Sequence, residues 1–352
     1  GALPWDAEAP AGLPPEEAEE DEAGTGMGVR QEGSNWEGQA RMTMEVDWES
    51  VKLSALCREQ LENINAVTCA HELLEFVEAS VCEFDVVSAV TALHRAAKLR
   101  GRSEVRGDRR LRWLVAKTVR EVMQREPACL TTRGMARTCW AVAKLSLPFE
   151  KIMDHVALEG SRRPFDAQGL VNMCWAFATL ATTTMATQLF ISRSVPRVKQ
   201  CLHDISAQGL SNISWAYAKL SMHDTELLGA IAHESVTKIV DFDPQGLANC
   251  AWAFATLPLK NLELFEAIAD VMAQKAWECS QQNLCNTAWA YAKLSHKSRD
   301  AMEAISKEFK ARVVEVAPQG LANMVWSFAT SPIRDVALFS AAREEILRRL
   351  GE

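Results

Sequence analysis

Apolar residues follow the spacing of an α-helix in a phrase near the middle of the chain, QGLANCAWAFATL at 245–257. Leu247, Ala251 and Ala255 fall on one broad apolar face together with Trp252. Asp243 and Pro244 precede the phrase at positions that suit a helix N-cap and a first helical residue. The pattern therefore predicts a helix whose alanines let neighbouring helices approach closely, while the tryptophan fills the layer between them.

The same phrase returns at 133–145, 168–180, 208–220, 282–294 and 319–331, and a degenerate copy lies at 87–99. The degenerate copy has His94 at the position of the tryptophan, which we call the tryptophan slot. The later slots, separated by 35, 40, 37, 37 and 37 residues, hold Trp140, Trp175, Trp215, Trp252, Trp289 and Trp326. Self-similarity at such a period is typical of stacked repeats.

The phrase helices have predicted starts and predicted partner helices. Only the last copy, with Ala317, lacks a capping residue nine positions before its slot; the others have Asp85, Thr131, Asp166, Ser206, Asp243 and Ser280. Amphipathic second helices are predicted over 223–240, 261–277 and 298–314, and a capping helix over 333–350. The predicted fold class is therefore all-α, an α-solenoid of about seven stacked antiparallel helix pairs, each repeat about 37 residues long.

The charged residues are unevenly distributed along the chain. Residues 1–40 carry ten acidic residues and one basic residue, so the net charge of −8 belongs to this segment and the remainder is near neutral. We predict a disordered acidic tail at 1–45. N-terminal capping helices with the degenerate repeat and a basic insertion are predicted at 46–110, and the helical-repeat array with its C-terminal cap at 111–352. A near-neutral body argues against strong non-specific nucleic-acid binding but permits one basic face.

The sequence gives no sign of catalysis, of a metal or cofactor site, or of a membrane span. His71-Glu72 and His233-Glu234 lack the second histidine of a zinc-protease helix, and GTGMG at 24–28 follows no predicted strand. The ten cysteines form no C-x-x-C pair and resemble packing residues. No run of 18 apolar residues occurs. We expect a protein that is not an enzyme and holds no cofactor or metal.

The segment FDPQGLANCAWAFATLPL at 242–259 resembles the second helix of the octotricopeptide-repeat family, and TALHRAAKL at 91–99 resembles the degenerate leading repeat of related organelle proteins. The resemblance covers roughly residues 65–350. That family is related to the FAST-kinase-like repeat proteins, whose RAP domain is not found up to Glu352, and the proline that leads the family's first helix is mostly absent here. The resemblance implies an RNA-binding protein of the chloroplast or mitochondrion that acts in RNA stability, processing or translation. Implied partners are single-stranded RNA and subunits of a larger ribonucleoprotein or membrane-complex assembly.

An amide column stands three residues before each tryptophan slot from the third repeat onward: Asn172, Asn212, Asn249, Asn286 and Asn323. The amides could hydrogen-bond the base edges or backbone of a bound strand. They could equally satisfy backbone carbonyls and hold the stack in register. Because the tryptophan on the same face is expected to be buried, we favour the structural interpretation.

A basic column, 14 residues before the slot, is a second candidate. Its members are Lys238, Lys275 and Arg312. In other repeats, basic residues lie within two positions of the same place: Arg162, Arg163 and Lys199. The glutamines beginning the next helices lie nearby: Gln168, Gln208, Gln245, Gln282 and Gln319. The helix dipole alone could favour cations at these positions, which lie near the C-terminus of the first helix of each pair. They could also form a phosphate-binding row with the helix N-termini, one nucleotide per repeat.

Two further basic features follow the phrases. Lys98, Lys144, Lys219 and Lys293 alternate with threonines four residues after the slot, where a solvated lysine is the simpler interpretation. The basic insertion near 100–110 contributes Arg100, Arg102, Arg106, Arg109 and Arg110, which suggest a polyanion contact on a surface loop.

Two functions therefore remain open. The family resemblance and the basic columns favour an RNA-binding α-solenoid. The near-neutral body favours an armadillo-like scaffold for protein partners that makes no contact with RNA. A continuous positive strip along successive repeats would support RNA, whereas an apolar or acidic groove would support a protein partner.

Overall fold

The computed structural model describes residues 54–124, 130–147 and 149–351. The predicted acidic tail lies outside these residues. Within them the chain forms sixteen α-helices and no strand beyond one isolated bridge between Cys69 and Arg100. The helices are α1 (Ala55–Ala66), α2 (Ala70–Ser80), α3 (Val86–Lys98), α4 (Arg109–Gln124), α5 (Thr132–Lys144), α6 (Glu150–Gly160), α7 (Ala167–Thr179), α8 (Met185–Gln200), α9 (Ala207–Lys219), α10 (Thr225–Thr237), α11 (Pro244–Thr256), α12 (Leu262–Lys275), α13 (Gln281–Lys293), α14 (Arg299–Ala311), α15 (Pro318–Thr330) and α16 (Val336–Leu350).

The helices form two layers, and each helix packs on its neighbours along the chain, as the solenoid prediction requires. The odd-numbered helices from α3 to α15 carry the repeated phrase, and we call them the phrase layer; α1 packs on α3 and extends it. The even-numbered helices form the partner layer. The predicted division at residue 110 falls inside α4, and α3 packs on α4 and α5 as later phrase helices pack on theirs.

The phrase helices begin where the capping pattern predicts. The side chains of Asp85, Thr131, Asp166, Ser206, Asp243 and Ser280 each accept a hydrogen bond from the backbone N–H three residues later. Ala317 provides no such bond. Glycine at the third helical position makes room for the residue before the cap: a Cβ on Gly246 would lie 3.2 Å from the Phe242 ring.

The partner helices end earlier than the sequence predicts. α10, α12 and α14 give way to 3₁₀ turns at Ile239–Asp241, Ala276–Glu278 and Val313–Glu315. The residues that follow these turns, Phe242, Cys279 and Val316, are extended and buried. A continued α-helix would point these side chains away from the core. The chain therefore leaves each partner helix through the tighter 3₁₀ turn.

Candidate nucleic-acid interface

Each phrase helix presents one stripe of residues away from the partner layer. In α11 the stripe consists of Gln245, Asn249, Trp252 and Thr256, spaced by four, three and four residues, which places them on one face. The opposite face meets the partner layer. In α7 the ring of Phe177, two residues after the tryptophan, lies 5.6 Å from that of Phe190 in α8, and in α13 the Tyr291 hydroxyl donates to the Phe265 carbonyl at 2.8 Å.

The amide column on this stripe lies in the core. Asn172, Asn212, Asn249, Asn286 and Asn323 are all at least 95% buried. Asn172 accepts a hydrogen bond from the Gln168 side chain at 3.1 Å. The predicted carbonyl partners are not found for Asn212 and Asn249, whose amide atoms have no hydrogen-bond partner among the described residues. Burial favours the structural interpretation of this column, because a base edge cannot reach an amide that is closed off by neighbouring helices.

The tryptophans close the stripe between adjacent repeats. Trp175, Trp215, Trp252 and Trp289 are only 4–6% exposed. The rings in the first two slots, His94 and Trp140, lie 5.2 Å apart, so slot residues of consecutive repeats touch. The tryptophan is therefore a spacer of the stack and not an exposed platform for bases.

The basic column lies at the N-terminal ends of the phrase helices, a surface that we call the N-terminal edge. Lys238 Nζ donates to the carbonyls of His203 and Ile205, both at 2.7 Å, in the turn of the preceding repeat. Arg312 donates to the Cys279 carbonyl at 3.0 Å, and Arg163 to the Leu130 carbonyl at 2.6 Å. These three cations each tie their own repeat to the one before it.

The other members of this column are paired or isolated. Arg162 pairs with Glu159 at 3.2 Å and Lys199 with Glu226 at 2.9 Å, while Lys275 is exposed. Exposed acids stand in the adjacent 3₁₀ turns: Asp204, Asp241, Glu278 and Glu315. Of the glutamines, Gln168, Gln208, Gln245 and Gln319 are half-buried and Gln282 is exposed. The N-terminal edge is thus close to charge balance, which weakens it as a phosphate-binding row.

The opposite surface, which we call the C-terminal edge, lies about 20 Å away across a 13-residue helix. Lys98, Lys219 and Lys293 are exposed there, Lys144 is half-buried, and Lys293 Nζ lies 5.2 Å from the centre of the Trp289 ring. A further row of basic residues lies eight residues after the tryptophan slot. It was not predicted from the sequence, although counting onward from each slot would have revealed it. Its members are Arg102, His223, Lys260, Lys297 and Arg334.

Acidic residues also stand at this end, on the first turns of the partner helices and in the insertion that holds Arg102. Asp224 caps α10 and Asp335 caps α16 through their side chains. The C-terminal edge therefore carries basic residues close to the phrase layer in every repeat except that of α7, where Thr179 and Thr183 occupy the two positions.

A cleft of about 330 Å³ opens on this edge between two consecutive repeats. Lys260, Lys297 and the acidic Glu266 line it, together with the half-buried His296 ring, which packs on the buried ring of Phe265. Burial lowers the pKa of the His296 imidazole against the opposing effect of Glu266, so the ring is neutral at pH 7. Two cations beside a half-apolar cleft suit a nucleotide, with its phosphate outside and its base against the His296 ring.

The basic insertion is folded. Val105 is buried, and the backbone N–H of Ala70 donates to the Arg100 carbonyl at 3.0 Å. Arg109 pairs with Glu78 at 3.1 Å, and Arg110 pairs with Asp108 at 2.7 Å. The hydrogen bonds from Arg110 lower the pKa of Asp108 to about 2. Two of the five arginines are thus neutralised by carboxylates. Arg100 and Arg106 are exposed and Arg102 is half-buried.

Cys174, Cys250 and Cys285 are free thiols buried in the core. Burial raises the pKa of the Cys174, Cys250 and Cys285 thiols to about 12, so all three stay protonated at pH 7. The described residues bring together no group of three potential metal ligands. Among them, no helix is both long enough and apolar enough to cross a bilayer.

Comparison with known proteins gives one family. The model of that family, described as RNA-editing substrate-binding complex 6 protein, matches residues 74–348, from α2 to the last turn of α16. No curated protein matches the chain.

Proposed function

This chain belongs to the RNA-editing substrate-binding complex 6 protein family, and we propose that it binds single-stranded RNA inside a ribonucleoprotein that edits RNA. Its own part is to hold RNA and partner subunits, without catalysis and without a cofactor. The observation that carries the proposal is the set of basic residues along the C-terminal edge, which recurs in every repeat except that of α7. Adjacent helices pack about 8–10 Å apart, so an extended strand can place about one nucleotide on each repeat.

The proposal differs from the sequence prediction in the edge that it uses. On the N-terminal edge, Lys238, Arg312 and Arg163 already donate to backbone carbonyls. A phosphate there would have to compete with these bonds and with the neighbouring acids. On the C-terminal edge, Lys219, Lys260 and Lys297 are exposed and have no carboxylate partner among the described residues.

An organellar location, with the mitochondrion favoured over the chloroplast, is part of the proposal and is supported by the family's RNA-editing description. The kinship with octotricopeptide-repeat and FAST-kinase-like proteins is proposed on the repeated phrase alone. Roles in RNA stability, processing or translation, or in a membrane-complex assembly, would follow from the RNA and the partner subunits that the chain holds.

A second candidate, a protein-binding scaffold, is favoured by a specific row of apolar side chains. Val240, Trp277 and Val314 occupy the same position of three consecutive 3₁₀ turns and are 62–78% exposed. Regularly spaced exposed apolar residues are typical of a contact surface for another protein. The two functions use opposite edges and are compatible in one ribonucleoprotein. Trp277→Ser should therefore reduce recovery of partner subunits without changing RNA affinity.

Removing cations from the C-terminal edge is expected to weaken RNA binding. The variant Lys219→Thr, Lys260→Gln, Lys293→Thr, Lys297→Gln uses the threonines found in the same slot of α7, α11 and α15. Each lost phosphate contact lowers the salt dependence of single-strand affinity by about 0.7 in log–log slope, so the slope should fall by about 2–3. Fluorescence anisotropy of a labelled oligouridylate, titrated at several salt concentrations, measures this.

The control removes four cations from the exposed side of the partner layer: Lys151→Gln, Arg193→Gln, Lys307→Gln and Arg343→Gln. This variant has the same net charge as the test variant but should keep nearly the wild-type slope. Equal slopes for the two variants would show that the C-terminal edge does not hold the strand. A wild-type protein with no salt-dependent RNA affinity would refute the RNA function itself.

A further inference from the structure

The phrase helix α5 has different polar residues in its stripe from those of the phrase helices that follow it. From α7 to α15 the stripe reads Gln, Asn, Trp and then Lys or Thr. In α5 the same positions hold Arg133, Arg137, Trp140 and Lys144. Three cations therefore stand on one face of a single helix, at the spacing that aligns them.

This face is turned away from the partner layer and lies beside the basic insertion. Arg133 is exposed, while Arg137 and Lys144 are half-buried. Burial, together with the positive charge of nearby Arg102, lowers the pKa of the Lys144 ammonium. The contact between His94 and Trp140 brings the C-terminal turn of α3 alongside that of α5. Arg102, which follows the end of α3 after the turn at Gly101, thus lies beside Lys144 at the C-terminal end of the α5 stripe, and Arg133 stands at the opposite end of that stripe.

The charge of this region is one-sided. The helix α5 carries three cations, Arg133, Arg137 and Lys144, and no acidic residue. Arg102, Arg137 and Lys144 form no ion pair with any carboxylate in the described part of the chain. Half-buried like charges without counterions destabilise a fold, and a bound polyanion offsets that repulsion.

We propose that Arg102, Arg133, Arg137 and Lys144 form an anchor for the backbone phosphates at one end of the bound RNA. The guanidinium groups of Arg133 and Arg137 match phosphate oxygens in pairs, and Lys144 acts as a point charge between them and Arg102. The strand continues from this anchor along the C-terminal edge towards α15. This anchor rests on the proposed RNA function and adds to it the place where the strand is held most firmly.

The test converts α5 to the stripe of α7 with Arg133→Gln, Arg137→Asn and Lys144→Thr. The new residues are those that α7 has at the equivalent positions, Gln168, Asn172 and Thr179. The same residues therefore already occur in a folded phrase helix of this chain. RNA affinity near 0.1 M salt should fall about tenfold or more, and the log–log salt slope by about 2. The melting temperature should stay the same or rise, because the repulsion between Lys144 and Arg102 is relieved.

Two further variants keep the test decisive. Lys151→Gln, Lys307→Gln and Arg343→Gln remove the same charge from the partner layer and should leave affinity within about twofold. Arg102→Ser changes only a loop residue and should cost affinity by about threefold to fivefold even if the helix variant folds poorly. Wild-type affinity in both the α5 and Arg102 variants would overturn the anchor while leaving RNA binding intact. Failure of the wild-type protein to bind RNA would overturn the proposed function instead.

Discussion

Replacing Trp252 with alanine is expected to lower the free energy of unfolding by about 3–5 kcal/mol, the typical cost of removing a buried aromatic side chain. Trp252 is 5% exposed and lies in α11, with packed phrase helices on both sides. In a solenoid each repeat contacts only its neighbours, so a defect in the middle uncouples the two halves. Urea unfolding followed by circular dichroism should show a lower midpoint and a broader or two-step transition.

Trp326→Ala provides the matched comparison. Trp326 fills the same slot in the last phrase helix, where it is half-buried because no further repeat covers it. Its removal should cost clearly less than that of Trp252 and should leave a single transition. Equal losses at the two positions would mean that the tryptophan does not act by joining adjacent repeats.

Replacing Lys238 with methionine is expected to lower the free energy of unfolding by about 1.5–3 kcal/mol, the range for hydrogen bonds to charged groups. The ammonium group donates to the carbonyls of His203 and Ile205 and pairs with Glu234 at 3.0 Å. Methionine keeps the apolar stem but leaves these three acceptors without their donor. Thermal or urea unfolding measures the loss, and the salt slope of RNA affinity should not change.

Lys275→Met is the control in the next repeat, since Lys275 has the same position in the sequence but is exposed. Its effect on stability should be within about 0.5 kcal/mol, as for an ordinary surface substitution. The opposite pattern, in which Lys238→Met keeps full stability and flattens the salt slope, would assign the basic column to phosphate binding after all.

The architecture was predictable because its signals are local. The capping residue and the apolar face lie within or directly before one phrase, and the phrase is repeated along the chain. The 3₁₀ turns were not predicted, since they depend on docking of Phe242 and its equivalents against the next helix. That contact depends on the packed structure and leaves no helical period in the sequence.

The candidate site was harder to predict, because the role of a cation depends on what it meets across the repeat. Lys238 and Lys275 are equivalent in the sequence, yet one donates to two carbonyls of the preceding repeat and the other is exposed. The buried state of Asn249 followed from its place beside the tryptophan, but its lack of a partner did not. The arginines of α5 were visible as departures from the phrase, and only their position beside Arg102 gives them a common role.

Photocrosslinking tests most directly the claim that RNA follows the C-terminal edge. The whole chain would be bound to an oligouridylate containing 4-thiouridine, irradiated, digested and analysed by mass spectrometry. We expect crosslinked peptides from 98–106 and 133–144, and from the phrase-helix exits at 219–223, 256–260 and 293–297. Crosslinks concentrated in the turns at Leu202–Asp204, Ile239–Asp241 and Ala276–Glu278 would contradict the account.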